Sequence, residues 1–278
     1  MIDRASLADF LRSRRTALQP EDVGLPRGQR RRTSGLRREE AALLSNMSVD
    51  YYARLERERG PQPSDQMLAS IAQGLRLTLD ERDHLFRLAG HQPPPHGPDG
   101  DHVSPGMMRI LDRLVDTPAE VVTELGETLQ QTPLAAALTG DARARVGDAR
   151  SLGFRWFADP TSRDLHPVED HEFLSRMYAS GLRGVLASRG PGSRAAHLAD
   201  RLLAESEEFR AVWARHEVGI RPRAVKRYVH PEVGLLELQC QVLQDPDGSH
   251  NLLVYTAEPG SASAERLQLL SVVGTDLR

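Results

Sequence analysis

Apolar residues recur with two different periods along the chain, and the change of period divides it into two regions. In the first region the spacing is helical, as where Leu7, Phe10 and Leu11 share one helix face. Five short helices of this kind are enough to form one compact domain. We predict them at residues 3–17, 36–45 and 49–58, after an N-cap at Ser64 or Asp65, and from Thr78 onward.

The second region mixes helical stretches with strands. It follows residues 91–105, which are rich in Pro, Gly and Asp and are typical of a linker. A hairpin turning at Gly126 and Glu127 opens it, a helical middle follows, and three strands are predicted at 224–229, 234–242 and 251–258. The last strand, NLLVYTAE, is apolar on both faces, which favours a central position in the sheet.

The predicted fold class is therefore multidomain. We expect an all-α, five-helix domain over residues 1–90 and a linker over 91–105. An α+β domain with an antiparallel sheet is expected over 106–278.

Composition describes a globular chain of 278 residues, with 39% hydrophobic and 27% charged residues. Because no long apolar run or signal-peptide core is present, we expect a cytoplasmic protein that does not bind membranes. Its single cysteine, Cys240, excludes an intrachain disulfide and alternates with polar neighbours in a predicted strand. A buried structural thiol is favoured over a redox sensor, because nothing nearby suggests the electropositive setting that reactive thiols need.

Charge is distributed unevenly. The net charge of −3 combines a net positive segment over residues 1–92 with a net negative remainder. The positive charge is concentrated between Val23 and Arg38, where no acidic residue occurs. Two interpretations remain open for this run, a solvated loop or a surface that contacts phosphates. The run consists of Arg27, Arg30, Arg31, Arg32, Arg37 and Arg38.

The segment EEAALLSNMSVDYYARLE has the pattern of two helices joined by a tight turn. Ala41 and Ala42 are small enough to let the next helix cross closely. Asn46 occupies the turn, where a residue that tolerates the left-handed conformation is needed. Ser48 can cap the following helix through the amide of Asp50 or Tyr51. This pattern predicts a helix-turn-helix.

These motifs resemble the xenobiotic-response-element class of helix-turn-helix regulators from Leu7 to about Gly90. The order of GLRREE, SVDYYARLE, SEEFRAVWARHEV and KRYVHPEVGLLELQ is similar to the MmyB-like group over nearly the whole chain. In that group a PAS-like ligand-binding domain follows the linker. The chain departs from the group at Asn46, where Gly is usual, and at Thr132, where Asn is common. The first departure should be tolerated on steric grounds, whereas the second leaves that corner of the domain open.

The resemblance implies which residues face DNA. Carried over by position, they are Arg38 at the start of the second helix and Ser48, Val49, Asp50, Tyr51 and Arg54 on the third. Arg54 can donate twice to guanine and Val49 can meet a thymine methyl group.

Two of these side chains have alternatives. Asp50 can accept from cytosine or pair with Arg54 one turn on. Tyr51 can bind a phosphate, whereas Tyr52 is expected in the core. Arg37 and the run 30–32 would contact the DNA backbone. The resemblance also implies an ion pair between Glu56 and Arg12 that fixes the domain.

For the second domain, the resemblance implies a small apolar effector, similar to a fatty acid, held in a cavity. The candidate lining residues are Trp156, Trp213, His216, Tyr228 and Tyr255. The alternative is that these aromatic residues simply fill the core. His216 and His230 are not spaced with a further ligand, so no metal site is expected.

No catalytic motif is visible, and we therefore expect no enzymatic activity and no cofactor. The expected function is that of a sequence-specific transcriptional regulator, a ligand-responsive homodimeric repressor that binds an inverted repeat in double-stranded DNA. The alternative is an adaptor or antitoxin-like regulator whose second domain binds a polypeptide.

Overall fold

The chain folds into two compact units, residues 1–113 and 114–278. The structure is a computed structural model that describes residues 2–27, 33, 35–94, 100–246 and 248–273. The first unit includes a helix at 105–111, which begins at the last residue of the predicted linker, 91–105.

The first unit contains the five predicted helices. The helices of this unit are α1 (Arg4–Ala17), α2 (Arg38–Leu44), α3 (Val49–Leu55), α4 (Asp65–Gly74), α5 (Leu79–Leu88) and α6 (Pro105–Leu111). Ser64 caps α4, its hydroxyl accepting from the Met67 amide, and Thr78 caps α5. The prediction that α3 extends to residue 58 is wrong, because the chain leaves the helix after Leu55 and Glu58 has a φ of +61°.

The core of the first unit lies where α1, α2, α3, α4 and α5 meet. Leu11, Tyr52, Ile71 and Phe86 are fully buried there. The α2 and α4 helices approach so closely that a Cβ on Gly74 would lie 2.7 Å from the Leu44 carbonyl oxygen. The close packing of α4 against α2 therefore requires glycine at position 74.

The second unit is built on a five-stranded antiparallel sheet in the order β2-β1-β5-β4-β3. Its strands are β1 (Ala119–Val122), β2 (Thr128–Gln131), β3 (Val225–His230), β4 (Gly234–Gln244) and β5 (Asn251–Thr256). The central position predicted for the last strand is confirmed. Glu120, Leu253, Tyr255 and Cys240 point to the same face of this sheet and line a cavity on that side.

Helices supply the remainder of the second unit. They are α7 (Pro133–Thr139), α8 (Leu152–Ala158), α9 (His171–Arg189), α10 (Arg194–Glu205), α11 (Glu207–Trp213) and α12 (Ala262–Val273). The α8 helix was not predicted from the sequence, because its seven residues are too few for a clear period. Ser151 caps it by accepting from the Phe154 amide, and Trp156 is fully buried.

Thr132 occupies the corner that the resemblance left open. Its hydroxyl donates to the Thr117 carbonyl oxygen at 3.0 Å and accepts from the amides of Ala119 and Ala135. The side chain is 4% exposed, so these bonds are made in a buried setting. Threonine therefore links the end of β2, the start of β1 and the first turn of α7 through a single hydroxyl.

We expect Gly74→Ala to lower the free energy of unfolding of the first unit by about 1–3 kcal/mol, because the added methyl group overpacks the contact with α2. The matched control is Gly184→Ala in α9, where no atom lies within 4 Å of the new Cβ. That change should stabilise the protein by about 0.5–1 kcal/mol through helix propensity. Calorimetric unfolding of the two variants measures both effects, and equal effects would contradict this account of the α2–α4 contact.

Candidate nucleic-acid interface and ligand cavity

The turn between α2 and α3 has the geometry that the sequence predicted. Asn46 has a φ of +50°, in the left-handed region. The Ser48 hydroxyl accepts from the Tyr51 amide at 3.2 Å and so caps α3. Tyr52 is fully buried against the core, which fixes the rotation of α3 about its axis. The opposite face of α3 is consequently presented to solvent.

That outward face carries four of the predicted DNA contacts. Ser48, Val49, Asp50 and Arg54 are all exposed, and Val49 is exposed to 48% although it is apolar. The Arg54 guanidinium lies 3.4 Å from the Asp50 carboxylate, one helical turn away. An exposed pair of this kind is worth little to stability and is broken at low cost when another partner approaches.

Tyr51 is only partly exposed. Its ring lies under the Arg54 guanidinium, 5.8 Å from the ring centroid. The phenol oxygen is buried and has no hydrogen-bond partner among the described residues, and burial raises the pKa of Tyr51. A phosphate contact from this hydroxyl would therefore require the side chain to rotate outward.

Glu56 ties α1, α2 and α3 together through its carboxylate. The group is completely buried and accepts from the Arg15 Nε at 2.5 Å and from the Arg38 Nε at 2.6 Å. The predicted carboxylate pair with Arg12 is wrong. Arg12 instead pairs with Asp9 and reaches only the Glu56 backbone oxygen. Arg15 points inward from the next turn of α1, and also donates to the Leu36 carbonyl oxygen.

Arg38 thus belongs to an ion-pair cluster inside the domain, although 42% of its side chain is exposed. Arg37 is exposed beside Glu39. Arg30, Arg31 and Arg32 lie outside the described residues. Arg57 and Arg59, which were not predicted as DNA contacts, are exposed directly after α3. Their signal in the sequence is the alternating run RLERERG.

The second unit contains a cavity of about 1070 Å³ between the sheet, α8 and α9. This volume is at the upper end of the range for small-molecule sites. Tyr228 and Tyr255 line it, and their rings meet edge to face with centroids 5.9 Å apart. Leu138 of α7, Leu253 of β5 and Met177 of α9 also line the cavity, so much of its lining is apolar.

The other three predicted lining residues lie outside this lining. The Trp156 indole nitrogen donates to Ser175 at 2.8 Å, and the ring is fully buried beside the cavity wall. Trp213 is stacked on Phe209 at 5.1 Å and is covered by the Arg183 guanidinium. His216 is exposed just after α11. Trp156 and Trp213 therefore pack against neighbouring side chains, as the alternative interpretation expected of these aromatic residues.

Polar groups at the cavity wall were not identified from the sequence. The Glu120 carboxylate accepts from the Tyr255 hydroxyl at 2.7 Å and from Thr128 at 3.1 Å. Arg155 donates to the carbonyl oxygens of Ala149 and Arg150, and burial lowers its pKa to about 10. Burial likewise lowers the pKa of His166 to about 4. The sequence signal for Glu120 was its position as a charged residue inside the otherwise apolar strand AEVV.

The loop of residues 217–224 closes one side of the cavity. Its Glu217 carboxylate accepts three hydrogen bonds from the Arg176 guanidinium of α9. Arg223 pairs with Asp170 at 2.7 Å, and the Arg227 and Arg223 guanidinium groups hold the pKa of Asp170 below its ordinary value. The loop is thus fixed to α9 by ion pairs and not by apolar packing alone.

Metal sites and membrane-spanning helices are two further features that bear on function. In the parts of the chain that the structure describes, no group of three or more His, Cys, Asp or Glu side chains could hold a metal ion. No helix within those parts has the length and apolar character needed to cross a bilayer.

An exposed α3 face in a helix-turn-helix and a large, mainly apolar cavity in a second unit define a DNA-binding transcription regulator with a ligand-binding domain. The comparisons agree. Residues 6–85 match a helix-turn-helix domain family, and residues 103–270 match the MmyB-like transcription regulator ligand binding domain. The chain belongs to this MmyB-like family. No curated protein sequence is significantly similar to it.

We expect Glu56→Ala to lower the free energy of unfolding of the first unit by about 3–5 kcal/mol, because it leaves the buried Arg15 guanidinium without its carboxylate. The control, Arg12→Met, removes an exposed pair with Asp9 and keeps both partners of the Glu56 carboxylate, so it should cost about 1 kcal/mol or less. Calorimetry gives both values. Unchanged melting of Glu56→Ala together with altered base preference would contradict the structural role.

Proposed function

We propose that this regulator is a homodimeric repressor that acts in the cytoplasm, binds an inverted repeat, and leaves it when a small apolar molecule fills the cavity. The observation that carries the proposal is the outward face of α3, where Val49, Asp50 and Arg54 are exposed while Tyr52 is buried. We infer no catalytic role for either unit and no cofactor.

In this proposal Arg54 exchanges its weak pair with Asp50 for a guanine edge in the major groove. A bidentate contact of this kind contributes about 1–3 kcal/mol of base discrimination. Val49 meets a thymine methyl group and Ser48 binds the backbone, and Tyr51 binds it once its side chain has rotated outward. The Arg38 Nε is committed to Glu56, so only its terminal nitrogen atoms are available to a phosphate oxygen.

Phosphate contacts supply the rest of the affinity. We propose Arg37 and the run Arg30, Arg31 and Arg32 for this role, and add the exposed Arg57 and Arg59. The Arg59 amide donates to the Arg54 carbonyl oxygen at 2.9 Å, which keeps this segment beside the end of α3. Such contacts position the protein on the duplex without reading its sequence.

A dimer is proposed because one helix-turn-helix buries too little surface for selective binding. Two copies related by a twofold axis would place their α3 helices about 34 Å apart, on two half-sites of an inverted repeat. The second unit is the proposed dimerisation domain as well as the effector domain.

The proposed effector resembles a fatty acid, which agrees with a cavity lined by Leu138, Leu253 and Met177. We propose that Tyr228 and Tyr255 contact it directly and that Trp156, Trp213 and His216 act only through the packing around the cavity. The adaptor alternative, in which this unit binds a polypeptide, has no specific observation in its favour.

We expect Arg54→Ala to relax the preference for one base pair by about 1–3 kcal/mol, since it removes the guanine contact. The control, Arg37→Ala, should weaken binding to preferred and unrelated duplexes equally and make affinity less dependent on salt. Genomic fragments selected by the wild-type protein provide the preferred sequence, and titrations at several salt concentrations measure both effects. Equal loss on both duplexes with Arg54→Ala would overturn the proposed reading by α3.

Native mass spectrometry of the full chain with its selected duplex tests the assembly. We expect two copies per duplex, a retained small molecule on protein purified without DNA, and release of the duplex when palmitic acid is added. A single copy on the duplex would overturn the dimer. A co-purifying polypeptide in place of a small molecule would favour the adaptor alternative.

A further inference from the structure

The inward face of the sheet carries two opposite charges at distant positions. Glu120 lies on β1 and is aligned across β5 and β4 with Leu253 and Val242. Lys226 lies on β3 and is aligned with Leu238, further along β4 on the same face. Both line the cavity. Strand spacings of about 4.8 Å and a rise of about 3.3 Å per residue place their Cα atoms roughly 20 Å apart.

Lys226 is the only lysine of the sequence. Its side chain is partly buried at the cavity wall. Among the described residues, no carboxylate or carbonyl oxygen forms an ion pair or hydrogen bond with its ammonium group. Among the other cations of the wall, Arg221 likewise has no such partner among the described residues, but it is exposed, whereas Lys226 is partly buried. Arg223 and Arg227 pair with Asp170, and Arg155 donates to carbonyl oxygens.

Glu120 presents the opposite chemistry. Its carboxyl group already accepts from the Tyr255 and Thr128 hydroxyls, one on each oxygen. A carboxylate has about four lone-pair sites, so about two remain for a donor in the cavity. A second anion placed here would be repelled at close range in a setting of low dielectric constant.

The thiol of Cys240 lies between Lys226 and Glu120, and both charges affect its pKa. Burial raises the pKa of Cys240, the Lys226 ammonium opposes that rise, and the Glu120 carboxylate adds to it. Between the two ends the wall is formed by Leu253, Cys240 and the Tyr255 ring, which offer mainly apolar contacts. The cavity is therefore apolar in its middle and electrically polarised from end to end.

We propose that the effector is a long-chain acid with a second, hydrogen-bond-donating group at its far end, its carboxylate held by Lys226 and its donor by Glu120. This inference rests on the proposed function, because it names the class of small molecule that fills the cavity. It also fixes the orientation of the ligand, since an anion is attracted to one end and repelled from the other.

The test measures the dissociation constants of four probes on the full chain, freed of bound lipid, by calorimetry. The probes are palmitic acid, palmityl alcohol, omega-hydroxypalmitic acid and hexadecanedioic acid. For the wild type we expect omega-hydroxypalmitic acid to bind about three- to tenfold more tightly than palmitic acid. We expect palmityl alcohol and hexadecanedioic acid to bind at least about tenfold more weakly than palmitic acid.

Two variants separate the two ends. Lys226→Met should abolish the preference for palmitic acid over palmityl alcohol, whereas the control Arg221→Met, which removes an exposed cation from the same wall, should keep it. Glu120→Gln should tighten hexadecanedioic acid by about tenfold relative to palmitic acid, because it removes charge repulsion and keeps the shape. Unfolding curves of each variant verify that the fold is retained.

Unchanged preferences in Lys226→Met, or continued rejection of the diacid by Glu120→Gln, would overturn the inference while leaving a small apolar effector in place. Failure of all four probes to bind the wild type would overturn it as well. The proposed function fails separately, when native mass spectrometry finds no small molecule and no probe releases the duplex.

Discussion

The buried carboxylate of Glu56 is the interaction on which the DNA-facing surface depends. It stands at the end of α3 and takes hydrogen bonds from Arg15 of α1 and Arg38 of α2. A charge with no exposure is tolerated only when its partners fully satisfy it, so the three helices are held in one relative arrangement. The rotation of α3 follows from this arrangement together with the burial of Tyr52. The outward direction of Val49 and Arg54 is thus set on the opposite side of α3, by the buried Glu56 carboxylate and the buried Tyr52 ring.

The second unit is governed by a different constraint, which is to keep a large cavity open inside a small domain. The sheet supplies one wall and α8 and α9 supply the others. Hydrogen bonds fix the polar members of the wall, as with Tyr255 on Glu120. The 217–224 loop is held on α9 by Arg176 and Asp170, so the wall is maintained by directional contacts where apolar packing is missing.

Much of this arrangement could be predicted from the sequence, because local signals carried it. Asn46 in the turn, the caps at Ser48 and Thr78, and the apolar character of both faces of NLLVYT each point to one structure. The local sequence signals gave wrong predictions where contacts between distant parts of the chain determine the position of a side chain. Arg12 and Arg15 lie one turn apart on α1, and only the crossing with α3 selects Arg15 for Glu56. Trp156 has the composition of a cavity residue, but its bond to Ser175 places it behind the wall. No local pattern distinguishes these outcomes.

The cavity also has a thermodynamic consequence for the chain as a whole. Side chains that line a cavity of about 1070 Å³ lack some of the dispersion contacts that a filled core would provide. Any molecule that occupies it selectively shifts the equilibrium away from unfolded forms in proportion to the logarithm of its concentration. Effector supply would then govern how long each copy survives proteolysis in the cell, and the number of regulator molecules would follow the metabolite as closely as their affinity for DNA does.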